Sequence, residues 1–425
     1  VVETLDGDKV IVQINIEEGR KAFIERINIV GNNVTNESVI RGELIVDEGD
    51  PFSTVLVNKS INHLKARNIF NQVTHKVFPG SKKDNSIIEI EIEEKPTGEV
   101  AAGAGIGTEG TSFSFFIKEN NWLGRGIATR ASLDLSEESI RGGINVTNPN
   151  YNYTGNAVSA SFSSTETDRL ATSGYKSTKT SFTLGTNFEQ YRNIFLSPKI
   201  AASYEDIRTD SSASAALQRM DGQFTNIDLD YGVTNDKRNQ PFQPSDGSII
   251  HFTQSLPLYS DTPSLVNGAE YATYHMFTED VIGAFKLYGK TVNSLDADED
   301  VRISNRVYLP SKRLRGFKRG KVGPKDGDDH IGGNYAFAFT VEAALPNLLP
   351  EDTKTDISIF WDNANVWGVD YDNTTAESNT LRSSIGVSAS VLTAIGPLSL
   401  TIAQPILTAD SDKTETFNFK LGTSF

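Results

Sequence analysis

The sequence predicts a small α+β domain followed by an antiparallel β-barrel of about sixteen strands that crosses a membrane. Three observations carry this. Helical periodicity is confined to the region before Lys95-Pro96. Beyond it, segments of about ten residues alternate polar and apolar side chains, the length of a tilted transmembrane barrel strand. Short connectors such as 120–126 alternate with long polar ones at 164–176, 206–221, 296–333 and 366–379, as in barrels with tight turns on one side and long loops on the other.

In the first hundred residues, 9–17 reads as a strand with no partner nearby. A strand follows at 23–30, closed by Gly31-Asn32. Thr35 stands where it would cap a helix over 36–44. Pro51-Phe52-Ser53 opens a second helix, with Val57, Ile61 and Leu64 on one face. Strands at 73–78 and 88–92 complete the order strand, helix, helix, strand, strand. That order builds a sheet covered on one face by helices. Glu89, Glu91 and Glu93, alternating with Ile88, Ile90 and Ile92, form its solvated face.

Composition sets limits. The chain has 425 residues, 37 % hydrophobic residues and a formal net charge of −15. No stretch approaches the ~18 unbroken apolar residues of a membrane helix. The acidic balance argues against nucleic acid as a main partner. With no cysteine there is no disulfide and no thiol nucleophile. The five histidines show no metal spacing, no hydrolase or metalloprotease motif is present, and no cofactor or catalytic constellation is expected. Asp326, Asp328 and Asp329 read as a solvated loop rather than a cation site. Gly105-Ile-Gly107-Thr-Glu-Gly110 has dinucleotide-loop spacing, but a strand pattern rather than a helix follows, so it reads as a strand end and hairpin turn. An exported barrel needs a targeting segment, yet Val1 opens directly on a strand-like run. The sequence therefore reads as a mature chain or a piece of one.

The segment 311–333 stands apart. Six of its residues between Lys312 and Lys321 are basic, Phe317 is the large apolar side chain among them, and Gly332-Gly333 closes it. Alternation places Tyr335, Phe337, Phe339 and Val341 toward lipid, and therefore Glu342 toward the lumen. In the next strand Ile357, Ile359 and Trp361 face lipid and Asp362 faces the lumen. Two inward carboxylates directly after a loop carrying Arg315 suggest a loop folded into the barrel, its guanidinium pairing with Glu342, Asp362 or both. Tyr151, Tyr153, Trp361 and Trp367 are expected near strand ends as an interfacial girdle.

These pieces together resemble the outer-membrane β-barrel assembly superfamily. The resemblance rests on Asn121-Trp122-Leu123-Gly124, Val146-Thr147-Asn148-Pro149, the run 242–247, Leu314-Arg315-Gly316-Phe317, Val322-Gly323-Pro324, Gly332-Gly333-Asn334, Phe360-Trp361-Asp362, Gly396-Pro397-Leu398 and the final strand. The Gly-Gly that often precedes the Arg-Gly-Phe loop in that family is replaced by Leu309-Pro310. The resemblance implies residues 1–19 as the tail of a preceding POTRA domain, 20–96 as the membrane-proximal POTRA domain in the periplasm, and 97–425 as the barrel with its inserted lumenal loop. It implies a lock made of Leu314, Arg315, Gly316, Phe317, Glu342 and Asp362. It also implies a non-enzymatic insertase in the outer membrane of a Gram-negative bacterium. Its partners would be unfolded outer-membrane clients, accessory lipoproteins, membrane lipid and lipopolysaccharide. Clients would add to the first strand once the barrel opens between its first and last strands. The residues of that seam are Glu99, Gly103, Gly105 and Gly107 on one side and Phe417, Phe419, Gly422 and Phe425 on the other. Their glycines leave few cross-strand contacts, each worth about 0.2–1 kcal/mol. The alternative is a two-partner-type secretion channel or a passive pore.

Overall fold

The computed structural model describes residues 2–6, 9–13, 21–350, 353, 355–370, 375–376, 379–393 and 396–422. Two compact units emerge, Val1–Thr97 with Asn120–Ile127, and Gly98–Glu119 with Ala128–Phe425. In the first unit β1 (Val2–Asp6) pairs antiparallel with β2 (Lys9–Gln13). The 9–17 strand therefore has a local partner, in Val2–Asp6, whose mixed polar sequence gives no alternation to read; residues 14–20 lie outside the described residues.

Next come β3 (Phe23–Val30), α1 (Glu37–Arg41), α2 (Thr54–Ala66), β4 (Phe70–Pro79) and β5 (Asn85–Glu94). The sheet order is β3-β5-β4, with β5 parallel to β3 and antiparallel to β4. Ile27 and Ile29 flank Asn28, and Ile88, Ile90 and Ile92 repeat at period two, while Val57, Ile61 and Leu64 repeat at helical spacing. These two periodicities meet in one buried core with Ile24, Ile40 and Val73. Ser53 caps α2 by accepting from the Leu56 N–H at 3.4 Å. Thr35 does not cap α1: the N-cap is Asn36, without a side-chain cap bond, and the Thr35 hydroxyl accepts instead from Asn121 Nδ2 at 2.8 Å. Glu94 accepts from the N–H groups of Asn33, Val34 and Thr35 at 2.8, 2.9 and 2.6 Å, so a carboxylate of β5 holds the turn that leads into α1.

The second unit is a closed antiparallel barrel of sixteen strands. They are β6 (Gly98–Gly107), β7 (Gly110–Trp122), β8 (Ile127–Ser136), β9 (Ser139–Asn148), β10 (Ala157–Arg169), β11 (Tyr175–Tyr191), β12 (Ile194–Thr209), β13 (Gly222–Asp236), β14 (Gly247–Ser260), β15 (Ser264–Thr278) and β16 (Val281–Ser294). After the long loop, which holds the two-residue strands β17 (Lys325–Asp326) and β18 (Asp329–His330), come β19 (Tyr335–Leu345) and β20 (Thr355–Trp367). Then β21 (Thr375–Ala376) pairs with β17, and β22 (Arg382–Thr393), β23 (Gly396–Leu407) and β24 (Phe417–Gly422) finish the wall. Phe113, Phe115, Ile117, Phe182, Leu184, Val341, Ile359 and Ile385 are exposed on the outer face. So much exposed apolar surface needs lipid as its solvent.

Two expectations need correction. Strands β10, β11 and β12 run to 13, 17 and 16 residues, not about ten, so 164–169, 175–176 and 206–209 are strand rather than loop. Their Thr, Lys and Glu side chains continue the ladder beyond the apolar band, where backbone pairing costs nothing in side-chain desolvation. The aromatic girdle also changes. Tyr151 and Tyr153 lie in a 3-10 turn after β9, and Trp367 ends β20 stacked on Tyr335, but Trp361 sits mid-strand. There it packs edge-on against Phe339 with ring centroids 5.6 Å apart, and its Nε1 donates to Ser383 Oγ at 2.9 Å. A mid-strand indole is accommodated because its one polar hydrogen has a partner.

Candidate functional site

The long loop between β16 and β19 is packed against the inner wall of the barrel. Pro310 (φ −62) leads into a 3-10 turn at Ser311–Arg313, which Leu314 (φ −151, ψ 79) ends. Gly316 then takes φ +90, and a Cβ there would lie 3.1 Å from Ala403 Cβ and 3.4 Å from that of Ser384. Glycine is therefore required twice, by the left-handed backbone and by the close approach to β22 and β23. The reversal sends Leu314 and Phe317 into a buried apolar cluster with Val292, Val301, Val307, Leu309, Val322 and Val366. Leu309, at the position where the family's Gly-Gly is replaced, belongs to that cluster.

The same turn aims Arg315 at the wall. Its Nε and Nη2 donate to Asp362 Oδ2 and Oδ1 at 2.7 and 2.9 Å, and its backbone N–H donates to Oδ2 at 3.0 Å. Thr340 Oγ1 donates to Asp362 Oδ1 at 2.8 Å, so a carboxylate with no solvent exposure receives four hydrogen bonds. Arg315 Nη1 lies 3.3 Å from Glu342 Oε2, and the guanidinium sits 3.3 Å over the Phe360 ring. Glu342 is shared with Lys286 at 3.2 Å. Two cations against two carboxylates, a bidentate fork and an aromatic face are what a buried ion pair needs to offset its desolvation. The Ser384 hydroxyl donates to the Arg315 carbonyl, fixing the backbone as well.

The far end of the loop is anchored differently. Asp326 is buried and accepts from the Ser214 hydroxyl; among the described residues no His, Cys, Asp and Glu group could hold a metal ion. His330 is 1 % exposed, and among the described residues neither ring nitrogen has a hydrogen-bond partner. Burial, reinforced by Lys321, Lys325 and Lys413, pushes its pKa down to about 4, so the ring is neutral. Burial also pushes up the Tyr308 phenol, whose hydroxyl donates to the His330 carbonyl at 3.3 Å.

The seam residues are brought together in part. Strand β24 meets β6 through Lys420 opposite Gly107, Leu421 opposite Ile106 and Gly422 opposite Gly105. Among the described residues β24 shares five pairs with its other neighbour, β23, and β12 and β13 share fourteen. A Cβ on Gly107 would lie 2.4 Å from the Phe419 carbonyl oxygen, and one on Gly422 (φ +112) would lie 2.1 Å from that of Ala104. These glycines let two backbones approach more closely than side chains allow. Phe417 and Phe419 stack with centroids 6.1 Å apart. Glu99 and Gly103 pair with Lys118 and Ser114 of β7, beyond the stretch that meets β24, and Phe425 lies outside the described residues.

Alternation turns Thr340 and Phe360 toward the lumen, but nothing in the sequence joins them, Ser384 or Ser388 to Arg315. Ser384, Ser388, Thr340 and Phe360 reach Arg315 or its carboxylate, yet small polar residues recur on every inner face. Only the register, Asp362 opposite Thr340 and Ser384, selects them. A cavity of about 1260 Å³ remains in the lumen beside the loop, lined by Lys286, Lys290, Arg313, Arg315, Glu270 and Glu342 among others.

Comparison with known proteins matches this arrangement. The Omp85 superfamily domain covers residues 121–425, and the POTRA model, a surface antigen variable number repeat, covers 22–95. The outer membrane protein assembly factor BamA of Neorickettsia risticii is 23 % identical over 98 % of this chain and 57 % of its own length. That of Neisseria meningitidis is 23 % identical over 97 % of this chain and 58 % of its own. The chain thus spans less than two-thirds of the curated relatives it matches. Among solved structures, BamA from Haemophilus ducreyi lacking POTRA domains 1–3 superposes with a TM-score of 0.85 at 23 % identity, covering 96 % of this chain and 86 % of that one. CdiB from Acinetobacter baumannii is more distant, with a TM-score of 0.58 at 12 % identity, 95 % of this chain and 74 % of that one. A POTRA domain leading into a closed sixteen-strand barrel, with the superfamily domain covering most of the chain, places this protein in the outer membrane, and the chain belongs to the Omp85 superfamily.

Proposed function

We propose that this chain is the membrane-embedded part of a central insertase that folds other β-barrels into the outer membrane. In this reading the wall parts between β6 and β24, and a client strand adds to the freed β6 edge by β-augmentation. Main-chain hydrogen bonds supply the affinity, and client side chains set the register. The observation that carries it is the glycine-built seam: Gly105 opposite Gly422 and Gly107 opposite Lys420 leave few side-chain contacts between β6 and β24. No covalent chemistry is required of any residue. Unfolded outer-membrane proteins are the proposed clients. Accessory lipoproteins are proposed to engage the POTRA unit, and lipid and lipopolysaccharide the outer face. Residues 1–19 are proposed as the tail of a preceding POTRA domain, and the lock of Leu314, Arg315, Gly316, Phe317, Glu342 and Asp362 as what keeps the lumenal loop docked. The secretion-channel reading has less support, since the likeness to CdiB is the weaker of the two.

The test uses the natural absence of cysteine. Ile106→Cys with Leu421→Cys places a pair directly opposite across the seam, at a spacing antiparallel neighbours can bridge. The oxidised protein should stay folded and lose client insertion, and reduction should restore it. Client insertion by the oxidised form at the reduced rate would sink the lateral-opening reading.

A further inference from the structure

The strip Gly316–Lys321 does more than follow Arg315 into the lumen; it touches both flanks of the seam. Toward the last strand, Phe317 lies opposite Thr414 in an antiparallel bridge. Lys318 N–H donates to the Lys413 carbonyl at 2.8 Å, Lys413 N–H to that of Lys321 at 3.1 Å, and Glu415 N–H to that of Gly316 at 2.9 Å. Strand β24 begins two residues later, at Phe417. Toward the first strand, Arg319 Nη1 lies 3.3 Å from Glu109 Oε2, on the turn joining β6 and β7. The two flanks also meet each other there: Asn418 Nδ2 donates to Glu415 Oε2 at 2.9 Å and to the Thr108 hydroxyl, and Thr108 N–H donates to the Phe419 carbonyl at 3.1 Å.

We propose that Gly316–Lys321 is a bracket that holds the seam closed, with Arg319 and Glu109 as its positioning residues. The strip makes three backbone hydrogen bonds with residues 413–415, the lead-in to β24, so the position of that strand's start is tied to the loop. Because one face of the strip is the last strand's lead-in and the other ends on the first hairpin, β24 cannot move from β6 without breaking the ladder or the Arg319–Glu109 pair. Arg315 docks the same strip on β20 only a residue away. Loop docking and seam closure are then two readouts of one equilibrium. The function of that equilibrium rests on the insertase reading above, but the bracket itself is a physical property that can be measured without clients.

The experiment is amide hydrogen exchange on the full chain in nanodiscs, comparing seam peptides 104–110 and 413–422 with the wall peptide 264–294. Arg319→Glu should quicken seam exchange by about two- to fivefold, the scale of an exposed ion pair, and leave the wall unchanged. Adding Glu109→Arg should return the seam to its parental rate. Arg315→Ala, which releases the loop at its dock, should quicken the same peptides more. Seam rates equal to the parent in Arg319→Glu overturn the bracket, as does acceleration shared by seam and wall or a charge swap that fails to restore. If Arg315→Ala does not fold, the Arg319 and Glu109 variants decide alone. Loosened seam peptides with unchanged client insertion would keep the bracket and remove the insertase reading, so the two fail separately.

Discussion

Arg382 and Arg319 show how the same residue type is treated in two ways by this barrel. Arg382 and Asp412 are both fully buried, with Nε–Oδ2 at 2.9 Å and Nη2–Oδ1 at 3.1 Å. Removing one partner strands the other charge in a low-dielectric site. Arg382→Ala should therefore destabilise the barrel by about 3–5 kcal/mol, whereas Arg319→Ala, at an exposed pair, should cost under about 1 kcal/mol. Thermal unfolding of both variants measures the contrast, and equal losses would contradict it. His330 gives a pH signature with a definite sign. Its folded pKa is lowered from 6.5 to about 4, so its contribution is full above pH 6.5 and is lost as the pH falls toward 4. Protection of the loop peptides 311–333 should decline over that window, and His330→Phe should flatten the decline. At this scale alternation reads the face of a side chain, which is why Glu342 and Asp362 can be assigned inward from the sequence. It cannot read partners on other strands. Nothing local links Arg382 to Asp412 or Arg319 to Glu109, because those pairs depend on loop paths with no period.

At the scale of elements, the α+β order is legible because two periodicities, 3.6 and 2, alternate along a short stretch. The barrel strands are legible for their apolar bands and not for their ends, as β11 shows by running to 17 residues. Lys, Thr and Glu at those ends look like loop composition, yet pair as strand where water and backbone both satisfy them. In the α+β sheet β5 is central, which leaves β3 and β4 as edges with unpaired backbone groups. Photo-crosslinkers at exposed positions of these edges, such as Val30 and Val77, should capture extended segments of clients or accessory subunits. A probe on α2, at exposed Val55, should capture fewer of them. Capture from α2 equal to capture from both edges would argue that partners do not dock by strand addition.

At the scale of the molecule, the chain is a barrel that must itself be inserted and, in the proposed reading, a device that inserts others. The two demands fall on different residues. Insertion of this barrel needs its sixteen-strand ladder and its outer apolar face, and neither includes Arg315. In the proposed reading, work on clients needs the lumenal loop held in one position beside the seam, and Arg315 would supply that through its pairs with Asp362 and Glu342. Arg315→Lys keeps the charge but cannot reproduce the fork on Asp362 or cover the Phe360 ring in the same way. The expected outcome is a variant whose own barrel reaches the folded, heat-modifiable state close to the parental yield, while client insertion falls about tenfold or more, the scale of one lost charge-assisted hydrogen bond in a buried site. Measuring both yields in the same liposome preparation separates the roles. A parallel fall in self-insertion and client insertion would mean that Arg315 serves the barrel's own folding, and the loop would then be a structural plug rather than a working part.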